Sequence, residues 1–349
     1  MRKNFTIFLL VLIFGTTYGQ YDHSDVFPDL SGDELFDALR EDYKPSNVLS
    51  FGNSRDTLFS KIDSKDNILT CVYSGHSIEL DPNEDPTQSA YQNGAATGIN
   101  TEHTYPQSMG AESGNAKSDM HHLFPTRSPV NSARGNDPFA EIPDEETVSW
   151  FYLADSQNEI PTEDIDLYSE DIKNGFEPRE DHKGDVARAM FYFYTMYREE
   201  ANAANPNYFE QQMETLCNWH YQDPVDEKEW NRNQMIAKYQ DDKENPFILD
   251  CSLANRLYCP EISDACSTVN NIEVEIASPK VFPNPSSNQY KIDWIESYNI
   301  LLTDAHGHIL LLQEANDTTL IDVPSLPGIY YLLLNDGNGK QHMVKLVRS

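Results

Sequence analysis

The sequence is poor in basic residues. Its 349 residues include 25 Lys and Arg against 57 Asp and Glu, which gives a formal net charge of −32 and an isoelectric point of about 4.4. Proteins that bind nucleic acid over a broad surface use many Lys and Arg contacts to phosphate. The composition therefore argues against such a basic face, and an anionic ligand would be held by a local strip of cations or by bound divalent ions.

Long apolar runs are missing as well. The one run near the N-terminus, Phe5 to Phe14, is ten residues long, and a membrane-spanning helix needs roughly 20. Arg2 and Lys3 precede this run and small residues follow it up to Gly19, which is the pattern of a secretory signal. We therefore expect a signal peptide over residues 1–19 and an exported chain that is not stably inserted in a membrane.

Cysteines are few, and none forms a C-x-x-C pair. An exported chain can form disulfides, and an odd number leaves one thiol unpaired or bonded to another molecule. We expect structural disulfides rather than a zinc site, with the pairing left open. The five cysteines are Cys71, Cys217, Cys251, Cys259 and Cys266.

The motifs of zinc metallopeptidases are also lacking. Neither H-E-x-x-H nor its inverse occurs, because Ile99 stands where the inverse motif needs its first histidine. A metallopeptidase built on the histidines near this position is therefore disfavoured.

Helical patterns dominate residues 20–260, where we expect one large domain. Leu35, Leu39 and Tyr43 have the spacing of an amphipathic helix. Residues 184–198 are apolar almost all round a helix, which predicts a buried central helix.

Short strands follow a change in composition after residue 277. The segments 300–303, 308–313, 319–323 and 329–334 alternate with turn residues, which predicts a small β-sandwich over residues 279–349. Residues 261–278 would be a linker. The expected fold class is α+β, with a mostly helical first domain and an all-β second domain.

Residues 100–139 bring together most of the side chains that can do chemistry. Hydrolysis of a phosphodiester needs a base to activate water, an electrophile to neutralise developing charge, and a group that holds the phosphate. The residue types of this segment meet those needs. It contains Glu102, His103, Asp119, His121, His122, Arg127, Asn131 and Arg134.

The local pattern of this segment predicts a strand, a loop, a second strand and a helix. Glu102 and His103 would point to opposite faces inside a regular strand, so both must lie at a strand end to act together. Residues 122–124 can form the second strand. Ser128, followed by proline, is expected as the helix N-cap, with Asn131 in the first turn.

The chain here resembles the endonuclease I family, secreted bacterial nucleases of the His-Me finger (ββα-metal) class. Three motif blocks carry the resemblance, at residues 100–106, 118–125 and 130–136. Similar patterns downstream extend the resemblance over residues 30–260. The resemblance implies a His-Me finger fold around the three motif blocks.

The resemblance implies a metal-dependent endonuclease that cleaves DNA without sequence preference, with RNA as an open second substrate. His103 would be the general base, and Glu102 with Asn131 would bind the metal ion, Mg²⁺ or alternatively Ca²⁺ or Mn²⁺. The products would carry 5′-phosphate and 3′-hydroxyl ends. Arg134 and Arg188 would contact phosphate or orient the site, and Arg188 could equally satisfy a buried carboxylate.

Other polar residues of the segment have more than one interpretation. His121 and His122 could be ligands, but structural hydrogen bonds are favoured. Asp119 could orient a neighbour or cap a turn. Lys117 departs from the family pattern, in which some members have glutamate. A binding or adhesion protein that keeps the scaffold without activity is the alternative function.

The C-terminal segment resembles the sorting domain of the Bacteroidetes type IX secretion system. The resemblance rests on FPNP at residues 282–285, PGIYYLL at 327–333 and the closing KLVRS. It implies export by that machinery to the extracellular space or the cell surface. We expect a monomer, and the removal of this domain after export is left open.

Overall fold

The structure, a computed structural model, describes residues 25–262 and 279–348, apart from short gaps at 288, 295–297, 316–317, 323, 325 and 337–340. The expected signal peptide and nearly all of the expected linker lie outside the described residues. The chain divides into two compact units, Met1–Cys266 and Ser267–Ser349. Each unit is described by itself.

Helices make up most of the regular structure of the first unit. Over residues 25–262 the α-helices are α1 (Gly32–Tyr43), α2 (Phe51–Thr57), α3 (Pro86–Tyr91), α4 (Gly114–Ser118), α5 (Ser128–Arg134), α6 (Lys183–Met196), α7 (Arg198–Ala204), α8 (Met213–Gln222), α9 (Glu227–Ala237), α10 (Pro246–Leu249) and α11 (Ser252–Leu257).

Short antiparallel strands complete the same unit. Over the same range they are β1 (Ser64–Lys65), β2 (Ile68–Thr70), β3 (Ser77–Glu79), β4 (Ile99–His103), β5 (Leu123–Arg127), β6 (Ser149–Tyr152), β7 (Asp155–Gln157), β8 (Ser169–Ile172) and β9 (Gly175–Glu177). The sheet orders are β1-β2-β3, β4-β5 and β7-β6-β8-β9. The unit is therefore α+β, as the sequence predicts.

The helix α6 is the centre of the first unit. Of its 14 residues only Asp185 and Tyr194 are not buried, which confirms the buried central helix. Rings from several elements stack around it, for example Tyr105 against Phe193 with centroids 4.2 Å apart. Burial of aromatic side chains is the largest source of hydrophobic stabilisation per residue, so this helix fixes the elements that surround it.

A disulfide joins α8 to the end of the helical region. Cys217 and Cys259 are bonded, and Cys251 is in a disulfide as well. Cys71 is buried and is the free cysteine of the part of the chain that the structure describes. Structural disulfides rather than a zinc site are thus confirmed for Cys217 and Cys259.

The second unit is built from strands. Where it is described, these are β10 (Lys280–Phe282), β11 (Gln289–Asp293), β12 (Tyr298–Asp304), β13 (Ile309–Ala315), β14 (Thr318–Asp322), β15 (Gly328–Asp336) and β16 (Gln341–Arg348). They form two sheets, β10-β11-β14 and β13-β12-β15-β16.

Both sheets of the second unit contribute to one core. Tyr290 and Ile292 of the first sheet pack in the same cluster as Ile300 and Leu332 of the second. The two sheets therefore form the predicted sandwich. The strand segments predicted from turn residues correspond to β12 to β15.

No helix in the described ranges is both long enough and apolar enough to cross a bilayer.

Candidate active site

The strands β4 and β5 and the helix α5 form the expected strand-loop-strand-helix unit. The strands are antiparallel, with Glu102 opposite Phe124 and His103 opposite Leu123. Two local details differ from the expectation. The residue before Leu123, His122, lies in a 3₁₀ turn, so the second strand starts one residue later and runs to residue 127.

The helix start also differs by one residue. Ser128 is the first residue of α5 rather than its N-cap, and its hydroxyl donates to the carbonyl of Gly98 at 3.1 Å. Gly98 directly precedes the first residue of β4. This contact ties α5 to the strand that carries Glu102 and His103.

Glu102 is a buried carboxylate with a cationic neighbour. Its Oε1 lies 3.2 Å from Nε of Arg134, within ion-pair distance but outside hydrogen-bond geometry, and accepts a hydrogen bond from the hydroxyl of Tyr73 at 3.4 Å. Burial raises the pKa of Glu102 to about 7, although Arg134 opposes this rise. The ionised carboxylate is thus costly here, and a nearby cation would favour it.

Arg134 is completely buried at the end of α5. Its guanidinium donates to the carbonyl of Thr104 at 2.7 Å and to the hydroxyl of Tyr208 at 3.2 Å, and pairs with Glu102. A side chain without exposed surface cannot touch a nucleic acid phosphate. In this structure the guanidinium of Arg134 therefore lies against Glu102 and has no surface exposed to a ligand.

His103 is the last residue of β4, as expected from the strand-end argument. Its Nε2 lies 3.0 Å from the carbonyl oxygen of Lys117. Because a carbonyl can only accept, Nε2 carries the hydrogen and Nδ1 is the basic nitrogen. The side-chain amide of Gln107 lies 3.4 Å from Nδ1.

The surroundings of His103 keep its ring neutral. Burial is the main cause that lowers the pKa of His103 to about 4; the positive charges of Lys117, Arg55 and Arg134 act in the same direction, and the hydrogen bond to the Lys117 carbonyl acts against them. At neutral pH the imidazole is therefore in the unprotonated form that a general base requires.

Asn131 faces the same strand from α5. Its amide nitrogen donates to the carbonyl of Thr101 at 3.1 Å. Because the nitrogen end is held by this carbonyl, the amide oxygen Oδ1 is the end available as a ligand. Asn131 is thereby fixed one residue away from Glu102 on β4.

Asp119 lies outside this arrangement and supports the core. Its Oδ2 accepts hydrogen bonds from the hydroxyls of Tyr192 at 2.9 Å and Tyr197 at 2.8 Å. Its Oδ1 accepts from the amide of Gln240 at 2.8 Å and from the backbone N–H of His121 at 3.1 Å. Asp119 thus caps the 3₁₀ turn and also joins it to α6, which combines both expected roles.

His121 and His122 each use one ring nitrogen on a backbone carbonyl. Nε2 of His121 lies 2.9 Å from the carbonyl oxygen of Lys243, and Nε2 of His122 lies 2.7 Å from that of Ala116. Burial lowers the pKa of both rings, that of His122 to about 3. These contacts agree with the structural role that the sequence favours over metal binding.

Arg188 belongs to a buried network away from the candidate site. Its Nε and one terminal nitrogen lie 2.7 Å from the two carboxylate oxygens of Glu229. Another terminal nitrogen donates to the carbonyl of Asp223 at 2.8 Å. Of the alternatives for Arg188, the structure supports the buried carboxylate partner and not contact with nucleic acid.

Several residues next to the site carry no local signal in the sequence. Tyr73 contacts Glu102, and Tyr208 contacts Arg134, although both tyrosines lie in distant parts of the chain. From α2, Phe51 contacts the ring of His103, and Arg55 contacts Thr101 on the same strand. Among the residues that contact the site, Gln107 is the one whose position gives a signal in the sequence, because it directly follows the first motif block.

The oxygen donors of Glu102 and Asn131 suit a hard divalent cation. In the described residues there is no group of three or more His, Cys, Asp or Glu side chains that could hold a metal ion, so a zinc-type ligand set is not found there. A carboxylate and an amide oxygen instead fit an ion such as Mg²⁺, which keeps several waters.

Two families match the two units of the chain. A family model described as Endonuclease I matches residues 32–251, and one described as Secretion system C-terminal sorting domain matches residues 280–348. The first match covers more than half of the chain. The chain belongs to the endonuclease I family and carries a C-terminal secretion sorting domain.

Two curated proteins are similar to part of the chain, and both are named "Extracellular ribonuclease". The protein of Bacillus amyloliquefaciens is 32% identical over 172 residues, which cover 45% of this chain and 53% of that protein. The protein of Bacillus subtilis (strain 168) is 35% identical over 167 residues, which cover 43% of this chain and 50% of that protein. The chain spans about half the length of these relatives.

Proposed function

We propose that the protein is a secreted, metal-dependent endonuclease that hydrolyses phosphodiester bonds of DNA and RNA without sequence preference. One observation carries the proposal. A buried carboxylate, Glu102, and a neutral histidine, His103, are adjacent at the end of one strand, and Asn131 is tethered to the same strand. We propose that β4, β5 and α5 form a His-Me finger.

His103 is the general base of the proposed reaction. The carbonyl of Lys117 holds Nε2–H, so the proton of an attacking water passes to Nδ1. In this structure the side-chain amide nitrogen of Gln107 faces Nδ1 at 3.4 Å, so this amide would move aside when the attacking water binds there. The ring orientation is fixed before substrate binds, which lowers the entropy cost of reaching the reactive geometry.

Glu102 and Asn131 would hold the divalent cation. When bound, such an ion supplies positive charge that stabilises the developing negative charge on the phosphate and on the leaving O3′. The protein's part is to fix the two oxygen donors: Arg134 and Tyr73 orient the carboxylate, and Thr101 orients the amide. Supporting contacts of this kind set metal affinity.

Attack by water makes the reaction independent of the sugar. A mechanism in which water attacks phosphorus does not use the ribose 2′-hydroxyl, so DNA and RNA follow the same route and both yield 5′-phosphate and 3′-hydroxyl ends. The two similar Bacillus proteins are named ribonucleases. Their names support RNA as a substrate beside DNA.

The central experiment compares the purified parent with His103→Ala and, as a matched control, His308→Ala. His308 is an exposed histidine of the second unit, far along the chain from the site. Plasmid DNA and a labelled RNA are incubated with Mg²⁺, with and without EDTA. We expect nicking and then degradation by the parent and by His308→Ala, loss on chelation, and a loss of several orders of magnitude in His103→Ala.

The products and the folded state complete this test. Circular dichroism must show that His103→Ala is folded, and every RNA product should end in a 3′-hydroxyl. Products with 2′,3′-cyclic phosphate, or full activity in folded His103→Ala, would exclude the mechanism. Binding of nucleic acid without cleavage under any metal would favour the alternative of a catalytically silent binding or adhesion protein.

The sorting domain supports secretion of this activity. We propose that the chain is exported by a type IX machinery and acts outside the cell or on its surface as a monomer. Deletion of residues 279–349 should leave the protein inside the cell. An unchanged amount of the deletion variant in the culture medium would reject the export route.

The monomeric state is tested on the purified full-length protein. Its gel-filtration volume should correspond to the mass of one chain.

A further inference from the structure

Phe51 is the centre of a small cluster beside the candidate base. Its ring centroid lies 5.3 Å from that of His103. The guanidinium carbon of Arg55 lies 5.3 Å from the Phe51 ring centroid, and Nζ of Lys117 lies 5.2 Å from it. Two cations and the candidate base therefore share one aromatic ring, with the cations at the distance of cation–π contacts.

The helix that carries Phe51 and Arg55 is fixed at two points. Nε of Arg55 donates to Oγ1 of Thr101 at 3.0 Å, two residues before His103 on β4. Oγ of Ser54 donates to the carbonyl of Ser118 at 2.8 Å, next to Lys117. The position of both cations relative to the catalytic strand is thus built into the fold.

In the described part of this strongly acidic protein, the two cations have no carboxylate within ion-pair distance. Among the residues that the structure describes, neither Arg55 nor Lys117 takes part in an ion pair, whereas Arg134, Arg188 and Lys183 all do. The carboxylates that act on Arg55 from a distance are Asp56 and Asp85. A phosphate group could supply the counter-charge that each of these cations lacks.

We propose that Arg55 and Lys117, held on the ring of Phe51, bind the backbone phosphate next to the scissile phosphodiester. This inference rests on the proposed nuclease function and names a substrate contact of the same site. Arg55 uses Nε for Thr101, so its two terminal nitrogens can form a bidentate contact with phosphate. Phe51 is a positioning residue that keeps both cations beside His103.

The proposed phosphate site is tested by the salt dependence of binding. A fluorescein-labelled single-stranded DNA of 12 nucleotides is titrated in EDTA with the parent, Arg55→Gln, Lys117→Gln and the double variant. Lys173→Gln removes an exposed lysine in another part of the first unit and is the matched control. Removal of either cation should reduce the slope of log K against log [NaCl] by about 0.7, and removal of both should reduce it by about 1.4.

Kinetics give a second, independent readout. In Mg²⁺, Arg55→Gln and Lys117→Gln should raise KM about tenfold with little change in kcat, as expected when a charge-assisted hydrogen bond to phosphate is removed. Lys117→Gln keeps the backbone carbonyl that holds Nε2 of His103, so the orientation of the ring is retained. Phe51→Leu should raise KM in the same way, and Phe51→Tyr, which keeps an aromatic ring, should restore it.

The outcomes separate this inference from the proposed function. If Arg55→Gln and Lys117→Gln match Lys173→Gln in both slope and KM while His103→Ala is inactive, the phosphate site is wrong and the nuclease function stands. If the parent cleaves nothing but the slopes fall as expected, the phosphate site stands and the nuclease function is wrong.

Discussion

Oε1 of Glu102 lies 3.2 Å from Nε of Arg134, and both side chains are almost completely buried. This pair joins the end of β4 to the end of α5, the two elements that carry the proposed metal ligands. It also explains how an ionisable carboxylate is held inside the protein, since a lone buried charge would be much more costly.

Arg134→Met tests the orienting role of this pair. We expect the Mg²⁺ concentration for half-maximal cleavage to rise about 10- to 100-fold, as for the loss of a residue that supports a metal ligand. Removal of one partner of a buried ion pair should also lower the free energy of unfolding by about 3–5 kcal/mol. Mg²⁺ titration of activity and urea denaturation measure the two effects.

A double variant is the control for stability. Arg134→Met with Glu102→Gln removes both charges, so it should recover part of the lost free energy of unfolding and remain inactive. An Mg²⁺ requirement equal to that of the parent in folded Arg134→Met would contradict the orienting role.

Asn131→Ala tests the second ligand. The variant loses one hydrogen bond to Thr101, which should cost only about 1 kcal/mol of stability. Its Mg²⁺ requirement should nevertheless rise at least about tenfold, because an oxygen donor is removed from the ion. Ser132→Ala, an exposed neighbour on α5, is the matched control. Equal Mg²⁺ requirements in the two variants would mean that Asn131 does not bind the metal.

Asp119→Asn tests a structural residue of the motif segment. Each carboxylate oxygen accepts two hydrogen bonds, so the amide nitrogen of Asn would face two donors whichever oxygen it replaces. We expect the free energy of unfolding to fall by about 3 kcal/mol, measured from the urea midpoint. Tyr192→Phe removes one of these hydrogen bonds and should cost only about 1 kcal/mol. An unchanged urea midpoint in Asp119→Asn would disprove this role.

Arg188→Met separates a buried partner from a phosphate contact. Loss of the pair with Glu229 should lower the free energy of unfolding by about 3–5 kcal/mol, and Arg188→Met with Glu229→Leu should recover part of it. The salt dependence of DNA binding should not change, because the guanidinium is buried. A stable variant with a slope reduced by about 0.7 would instead show a phosphate contact.

Local patterns are sufficient to predict many elements of the fold. The apolar positions of α1 repeat at helical spacing, α6 is apolar almost all round, and the turn residues of the second unit alternate with strands. The structure differs from these predictions at the ends of individual helices and strands. Local spacing predicts Ser128 as an N-cap, but this residue lies inside α5, since its hydroxyl finds the carbonyl of Gly98 on a neighbouring segment. Such a contact depends on tertiary structure and leaves no trace in local spacing.

The sequence by itself determined the family, the α+β class and the segment with the proposed base and ligands, because these depend on residue types at short, fixed spacing. Only the tertiary structure decided what each polar residue contacts. It buried Arg134 against Glu102 and Arg188 against Glu229, and it brought Phe51 and Arg55 to His103. These partners lie far apart in the sequence, and only the packing of the surrounding helices and strands brings them within hydrogen-bond and ring-contact distance.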